Sequence, residues 1–204
     1  MKQYLLLVIG IFFIIACNNN EPQKENTLPP APAATEDSKG KIIDITGNET
    51  DTSKKSIKAY VIGNINGRHL TISYHSPAVR NRIIWGGLVP FDQLWVSGAH
   101  MATSIETDAT LIINGQEIPA GKYAFFTIPS QKDWTIILNK NWDQHLTDKY
   151  DPKDDILRWQ VKPDSLSFVQ ERLRYTIDQL GEYKGRIDLT WEKLRIAIPF
   201  EIKK

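Results

Sequence analysis

Cysteine is nearly missing from this chain. Cys17 is the only one in 204 residues, so no disulfide can form within the chain, and stability must come from an ordinary hydrophobic core. A thiolate metal cluster or thiol nucleophile in the body of the chain is excluded with it. Histidine is scarce too, with four residues: His69, His75, His100 and His145. None shows the His-Glu-x-x-His spacing that sets two imidazoles on one helix face. His69 and His75 share a strand face about 20 Å apart by strand rise, too far for one metal ion in a straight strand. His75 and His100 with a carboxylate would have to converge through tertiary folding, so no metal and no cofactor are expected. Net charge is also small, +1 at pH 7, which gives no electrostatic case for a nucleic-acid partner. No Gly-x-Ser-x-Gly elbow and no phosphate-cradling glycine loop occurs. Gly86-Gly87 sits between apolar residues and reads as a bend.

Long hydrophobic runs are missing as well. The one near the start, Leu5 to Ile15 broken by Gly10, is short of the ~20 residues that cross a bilayer core. It follows Lys2, and Ala16-Cys17 and the polar Asn18-Asn19-Asn20-Glu21 come next. A basic residue, a short apolar core, a small residue and then cysteine is a secretory signal layout. It resembles the lipobox of bacterial lipoproteins, which implies lipid attachment at Cys17, a signal peptide over residues 1–17 and a membrane partner through the lipid. Cys17→Ser is expected to abolish lipid labelling and leave unprocessed precursor; normal labelling of that variant would contradict the reading. Asn18 is not the aspartate that resembles an inner-membrane retention signal. The expected place is therefore the cell envelope, at the outer membrane, on either its periplasmic or its surface face.

Residues 18–56 read as a flexible tether. Pro22, Pro29, Pro30 and Pro32 lie among polar residues, a composition that buries too little apolar surface to offset chain entropy. Ile42, Ile43 and Ile45 allow one short strand at Lys41–Thr46. Residues 57–204 then form one domain of roughly 150 residues, enough for a single core.

That domain alternates with period two. Leu70, Ile72 and Tyr74 interleave with Thr71, Ser73 and His75, behind the hairpin signal Asn66-Gly67. Leu111-Ile112-Ile113 runs into Asn114-Gly115, a second hairpin signal. Tyr123–Ile128 and Trp134–Leu138 read as strands. Ile187, Leu189 and Trp191 alternate, and so do Leu194, Ile196, Ile198 and Phe200. The expected fold is all-β, an antiparallel β-sandwich, with a β-barrel as the alternative. Residues 166–180 fit both a helical stripe (Leu166, Val169, Leu173, Ile177, Leu180) and a strand face. The strand is chosen for Arg172–Asp178.

The middle of the chain resembles a known family. The strings Gly86-Gly87-Leu88-Val89-Pro90, Leu94-Trp95, Ser97-Gly98-Ala99 and Ile118-Pro119-Ala120-Gly121-Lys122-Tyr123 carry the likeness. Phe126-Thr127-Ile128-Pro129, Leu138-Asn139-Lys140 and Asp155-Ile156-Leu157-Arg158 extend it. The pattern is similar to domain-of-unknown-function family 2911, mostly exported proteins, many of them lipoproteins, with no established activity. The resemblance covers about Ile57 to Phe200 and implies export and fold rather than chemistry. Val96, His100 and Met101 stand where that family usually has arginine, asparagine and glutamate. A polar site built on those three positions is lost or rebuilt here.

Candidate site residues follow from residue type. Trp95 and Trp142 lie in irregular segments beside polar groups, as aromatic surfaces that bind sugars or small ligands do. His100, Arg82 and Asn139 are the polar candidates beside them. Arg82 alternatively serves a structural ion pair with Asp154, Asp155 or Glu106. A hydrolase acting on envelope polymers would use His100 with Arg82 or Asp155. The expected role is a non-catalytic glycan- or small-molecule-binding or interaction module. The alternatives are that hydrolase and a structural or assembly lipoprotein, with the protein partner unspecified.

Overall fold

The structure is a computed structural model and describes residues 55–204. Cys17, the signal segment, all of the tether but its last two residues, and the strand expected at Lys41–Thr46 lie outside the described residues. The strands are β1 (Ile57–Ile65), β2 (Arg68–Ser76), β3 (Thr103–Thr107), β4 (Leu111–Ile113), β5 (Gln116–Ile118), β6 (Gly121–Ile128), β7 (Trp134–Asn139), β8 (Asp155–Val161), β9 (Asp164–Gln179) and β10 (Lys184–Ile202). They form a six-stranded sheet, β1-β2-β3-β6-β7-β8, and a four-stranded sheet, β5-β4-β10-β9. Every strand pair is antiparallel. The two sheets pack face to face as a sandwich. The barrel alternative does not hold, because each sheet ends in edge strands and no ladder joins them into a ring.

Local chemistry accounts for the hairpins. Asn66 and Gly67 take φ of 51° and 79°, and Asn114 and Gly115 take 50° and 77°. Two consecutive left-handed residues match the twist of the flanking strands. The first turn sets Tyr60 opposite Ser73 and Ile62 opposite Thr71.

The strand β9 runs through the ambiguous segment up to Gln179, leaving only Leu180 outside it. Leu173 and Tyr175 are buried while Val169 and Leu180 are exposed, so the apparent helical stripe mixes buried and exposed positions. The strand β10 does something that alternation alone does not reveal. Its 19 residues would span about 60 Å if straight. Yet the Ile202 N–H donates to the Tyr183 carbonyl at 2.7 Å, and Lys184 pairs with Glu201 at 3.2 Å. A Cβ on Gly185 would overlap the Phe200 ring. The strand therefore doubles back, and the reversal falls at Glu192, whose φ is 54°. The register of β9 shifts on both sides of Glu192 as that strand follows the bend.

The main core lies between the sheets. Leu70, Ile72, Ile105, Phe125 and Ile136 face Leu173, Ile187, Leu189, Ile196 and Ile198. Four tryptophans cluster there, Trp134 and Trp191 fully buried and Trp85 and Trp95 partly buried against them. Trp85 meets Trp134 edge to face at 4.7 Å, and Trp95 stacks on Trp191 at 5.8 Å and 19°. Among the described residues the indole N–H groups of Trp85 and Trp134 have no hydrogen-bond partner. A second, smaller cluster forms on the outer side of the six-stranded sheet. There Val96 and Ala102 cover Ala124, Phe126 and Ile137. Two long connections, residues 77–102 and 140–154, supply that cover.

Candidate functional site

The outer side of the six-stranded sheet carries the polar and exposed aromatic residues together. Register puts Tyr60, Ser73, Ser104, Ala124, Asn139 and Asp155 in one row across the strands. The adjacent row is Ile62, Thr71, Glu106 and Lys122. Successive strands lie ~4.8 Å apart, so β1 and β6 are about 14 Å from each other across this face. Tyr60 and Ile62 are 54% and 59% exposed at one bank. Trp142, 39% exposed, stands at the other with the Lys122 ammonium 4.1 Å from its ring centroid. The floor between them is hydroxyl-bearing or charged. Lys122 also pairs with Glu106 at 3.3 Å, where the Glu106 side chain is largely exposed. Such a pair is worth about 0–1 kcal/mol, so a ligand hydroxyl can displace it at little cost.

Trp142 is held by a buried scaffold. Asn139 is fully buried. Its side-chain amide donates to the Asp151 carbonyl at 2.9 Å and to Asp155 Oδ1 at 2.8 Å, and its oxygen accepts from the Asn141 N–H at 2.8 Å. Asp155 Oδ2 accepts from the Tyr150 hydroxyl at 2.9 Å and from Arg158 at 3.0 Å. Burial, then the bond to Asp155, pushes the Tyr150 phenol above its ordinary pKa, and the ring rests edge to face on Phe126 at 5.4 Å. Asn141 Nδ2 donates to Asp154 Oδ2 at 2.7 Å. The backbone on both sides of Trp142 is thereby fixed to the end of β7 and the start of β8. One turn of 3₁₀ helix, Pro152–Asp154, completes the connection, with the Asp151 carboxylate accepting from the Lys153 N–H.

A second loop closes beside it. The Leu146 N–H donates to the His100 carbonyl at 2.7 Å, and the Ala102 N–H to the Gln144 carbonyl at 3.0 Å. Three non-glycine residues at this seam take left-handed backbone: Ser97 at φ 52°, His100 at 61° and Leu146 at 46°. Each costs on the order of 1–3 kcal/mol and persists where the surroundings over-determine it. Ser97 is over-determined in this way. Its carbonyl accepts from the buried Tyr175 hydroxyl at 2.7 Å and from Thr103 at 3.0 Å. Beside it Gly98 packs so closely that a Cβ would come within 2.8 Å of Thr103 Oγ1.

The residues singled out in the sequence fall into three places. Trp142, Asn139 and Asp155 share the outer-face assembly just described. His100 lies at its edge, in ring contact with His75 at 5.3 Å. Trp95 is instead part of the four-tryptophan core, its indole N–H donating to the Gly98 carbonyl at 3.1 Å. Arg82 lies apart from both, donating to the Val79 and Ala78 carbonyls and so closing its own turn rather than pairing with Asp154, Asp155 or Glu106. Those acids have other partners: Asn141, Arg158 and Lys122. Among the described residues no hydrogen bond links His100, Arg82 and Asp155. Val96 is buried in the outer cluster, so this position holds the loop down rather than serving a ligand.

Sequence reasoning missed Tyr60, Ile62 and Lys122 as parts of one surface. The signal for the first two was present. A two-residue turn at Asn66-Gly67 dictates their partners on β2, and the outward side of β2 was already legible from Leu70, Ile72 and Tyr74. A shallow groove of about 620 Å³ lies elsewhere, lined by Ile112, Tyr183, Lys184, Glu201 and Lys203 among others. There Lys184 pairs with Glu201 and Lys203 with Glu117. It lacks the exposed indole of the outer face.

A family model described as protein of unknown function, DUF2911, matches residues 56–200. No curated protein and no solved structure matches the chain.

Proposed function

The chain belongs to the DUF2911 family, and from that premise we propose that it is a lipid-anchored cell-envelope protein whose sandwich is a non-catalytic binding module for a glycan or similar hydroxyl-rich small molecule. Cys17 behind its apolar segment supports the anchor, with the outer membrane as its site, and the Pro-rich stretch supports a domain held off the membrane. One observation carries the binding role: Tyr60 and Trp142 bank a hydroxyl- and charge-bearing floor on one open sheet face. Aromatic rings give sugars an apolar stacking surface, and short polar side chains between them fix orientation. The span of about 14 Å between β1 and β6 suits an oligosaccharide lying across the strands. The hydrolase reading is less well supported, because Asp155 and Arg82 are engaged in separate local networks.

Trp142→Ala tests this. In a fluorescence or calorimetric titration of the full chain against envelope-type saccharides, the tightest binder is expected to lose about tenfold or more in affinity, the scale of one stacked aromatic. Melting temperature should barely move, since Trp142 is a surface residue. Unchanged affinity in Trp142→Ala would remove the basis for the proposal.

A further inference from the structure

Basic side chains gather without acids at one end of the same face. His75 and His100 touch edge to face, ring centroids 5.3 Å apart at 76°. Lys58 is the direct cross-strand partner of His75. The other two histidines each have a carboxylate, His69 with Asp108 at 3.2 Å and His145 with Asp148 at 3.3 Å. Among the described residues Lys58, His75 and His100 have no ion pair. Glu106, an acid of the same face, is held by Lys122. Like charges brought together raise the free energy of the folded state unless an anion joins them. His100 is moreover held at a left-handed φ of 61°, so its position over His75 is maintained against backbone strain.

We propose that Lys58, His75 and His100 form an oxyanion subsite, so that the ligand of the adjacent aromatic face is an acidic glycan whose carboxylate or phosphate sits between these three side chains. The inference rests on the binding-face reading above. An ammonium and two imidazole N–H groups are suitable donors for such a group, and charge-assisted bonds are the stronger kind.

The subsite has a pH signature. His75 titrates below its ordinary value, because burial disfavours the charged ring and His100 and Lys58 repel it. Without ligand, the neutral ring's contribution to stability is complete above the unfolded value of about 6.5 and is lost as pH falls through the lower folded value. A bound oxyanion favours the protonated ring instead. Affinity for the anion therefore rises as pH falls through that range.

The test uses the full chain, trigalacturonate and the methyl ester of trigalacturonate, which keeps the sugar surface and removes the charge. Calorimetry at about pH 6 should show the acid binding about tenfold tighter than the ester, as expected for a charge-assisted contact. The preference should shrink at about pH 8, where His75 is neutral. His75→Gln combined with His100→Gln should narrow the gap between acid and ester and remove its pH dependence, leaving Lys58 as the one charged donor. Equal binding of acid and ester by the unaltered chain would overturn the oxyanion subsite and leave the aromatic face standing. Inorganic phosphate, followed through the histidine ring resonances, separates the remaining cases. If neither trisaccharide binds but phosphate shifts His75 and His100, the subsite holds as a phosphate site and the glycan reading fails. If phosphate shifts neither ring and neither trisaccharide binds, both fail. Stronger binding of phosphate than of trigalacturonate would identify a phosphorylated ligand over a carboxylated one.

Discussion

Replacing Trp191 with alanine is expected to destabilise the domain by about 3–5 kcal/mol, the range for deleting a large aromatic from a packed interior. Trp191 is fully buried. It stacks on Trp95 at 5.8 Å and meets Trp85 edge to face at 5.6 Å. Its indole N–H donates to the Glu171 carbonyl at 3.3 Å. The substitution thus removes two ring contacts worth about 0.5–1.5 kcal/mol each beyond their area, while the Glu171 carbonyl keeps the Val79 N–H as a donor at 2.8 Å. Domains of this size have only about 5–15 kcal/mol in total, so the variant sits near the edge of folding at physiological temperature. Urea denaturation should show a large fall in midpoint with the slope unchanged. A fall under about 1 kcal/mol would mean that Trp191 is not at the centre of the core.

The second large effect is at Asn139. Asn139→Ala should cost about 2–4 kcal/mol, because three partners each lose a part-buried hydrogen bond, and such bonds are worth about 0.5–1.5 kcal/mol each, more where the partner is a carboxylate. Those partners are the Asp151 carbonyl, Asp155 Oδ1 and the Asn141 N–H. The same change should weaken ligand binding, although Asn139 itself is fully buried. It acts through the backbone on either side of Trp142, which those bonds hold in place. Saccharide affinity measured well below the unfolding midpoint should fall several-fold. Lost stability with full affinity would show that Trp142 is positioned by something else.

Much of the sandwich was legible because its turns use residues with a mechanism. Asn-Gly at 66–67 and 114–115 admits left-handed backbone cheaply, and two hairpins follow with their register. Strand alternation then separated inner from outer side chains in β2 and β10. The reversal at Glu192 was not legible in the same way, since glutamate and lysine are not residues that favour such a turn. The surrounding ladders hold Glu192 at φ 54°, which is tertiary context overriding local preference. The connections at 77–102 and 140–154 resisted reading for the same reason. Ser97, His100 and Leu146 adopt left-handed backbone that only their partners make tolerable. Trp95 and Trp142 looked alike in sequence, each in an irregular segment. Burial divides them, one into the core cluster and one onto the surface. His75 and His100 are 25 positions apart, and their contact exists only because the 97–101 loop folds back onto β2.

Mapping a bound saccharide by backbone amide and indole N–H chemical shifts tests the proposed face most directly. The largest changes should fall on Tyr60, Thr71, Ser73, Glu106, Lys122 and the Trp142 indole, with His75 and His100 joining when the ligand is acidic. Changes confined to the groove around Ile112, Tyr183 and Lys203, or to the four-stranded sheet, would contradict the account.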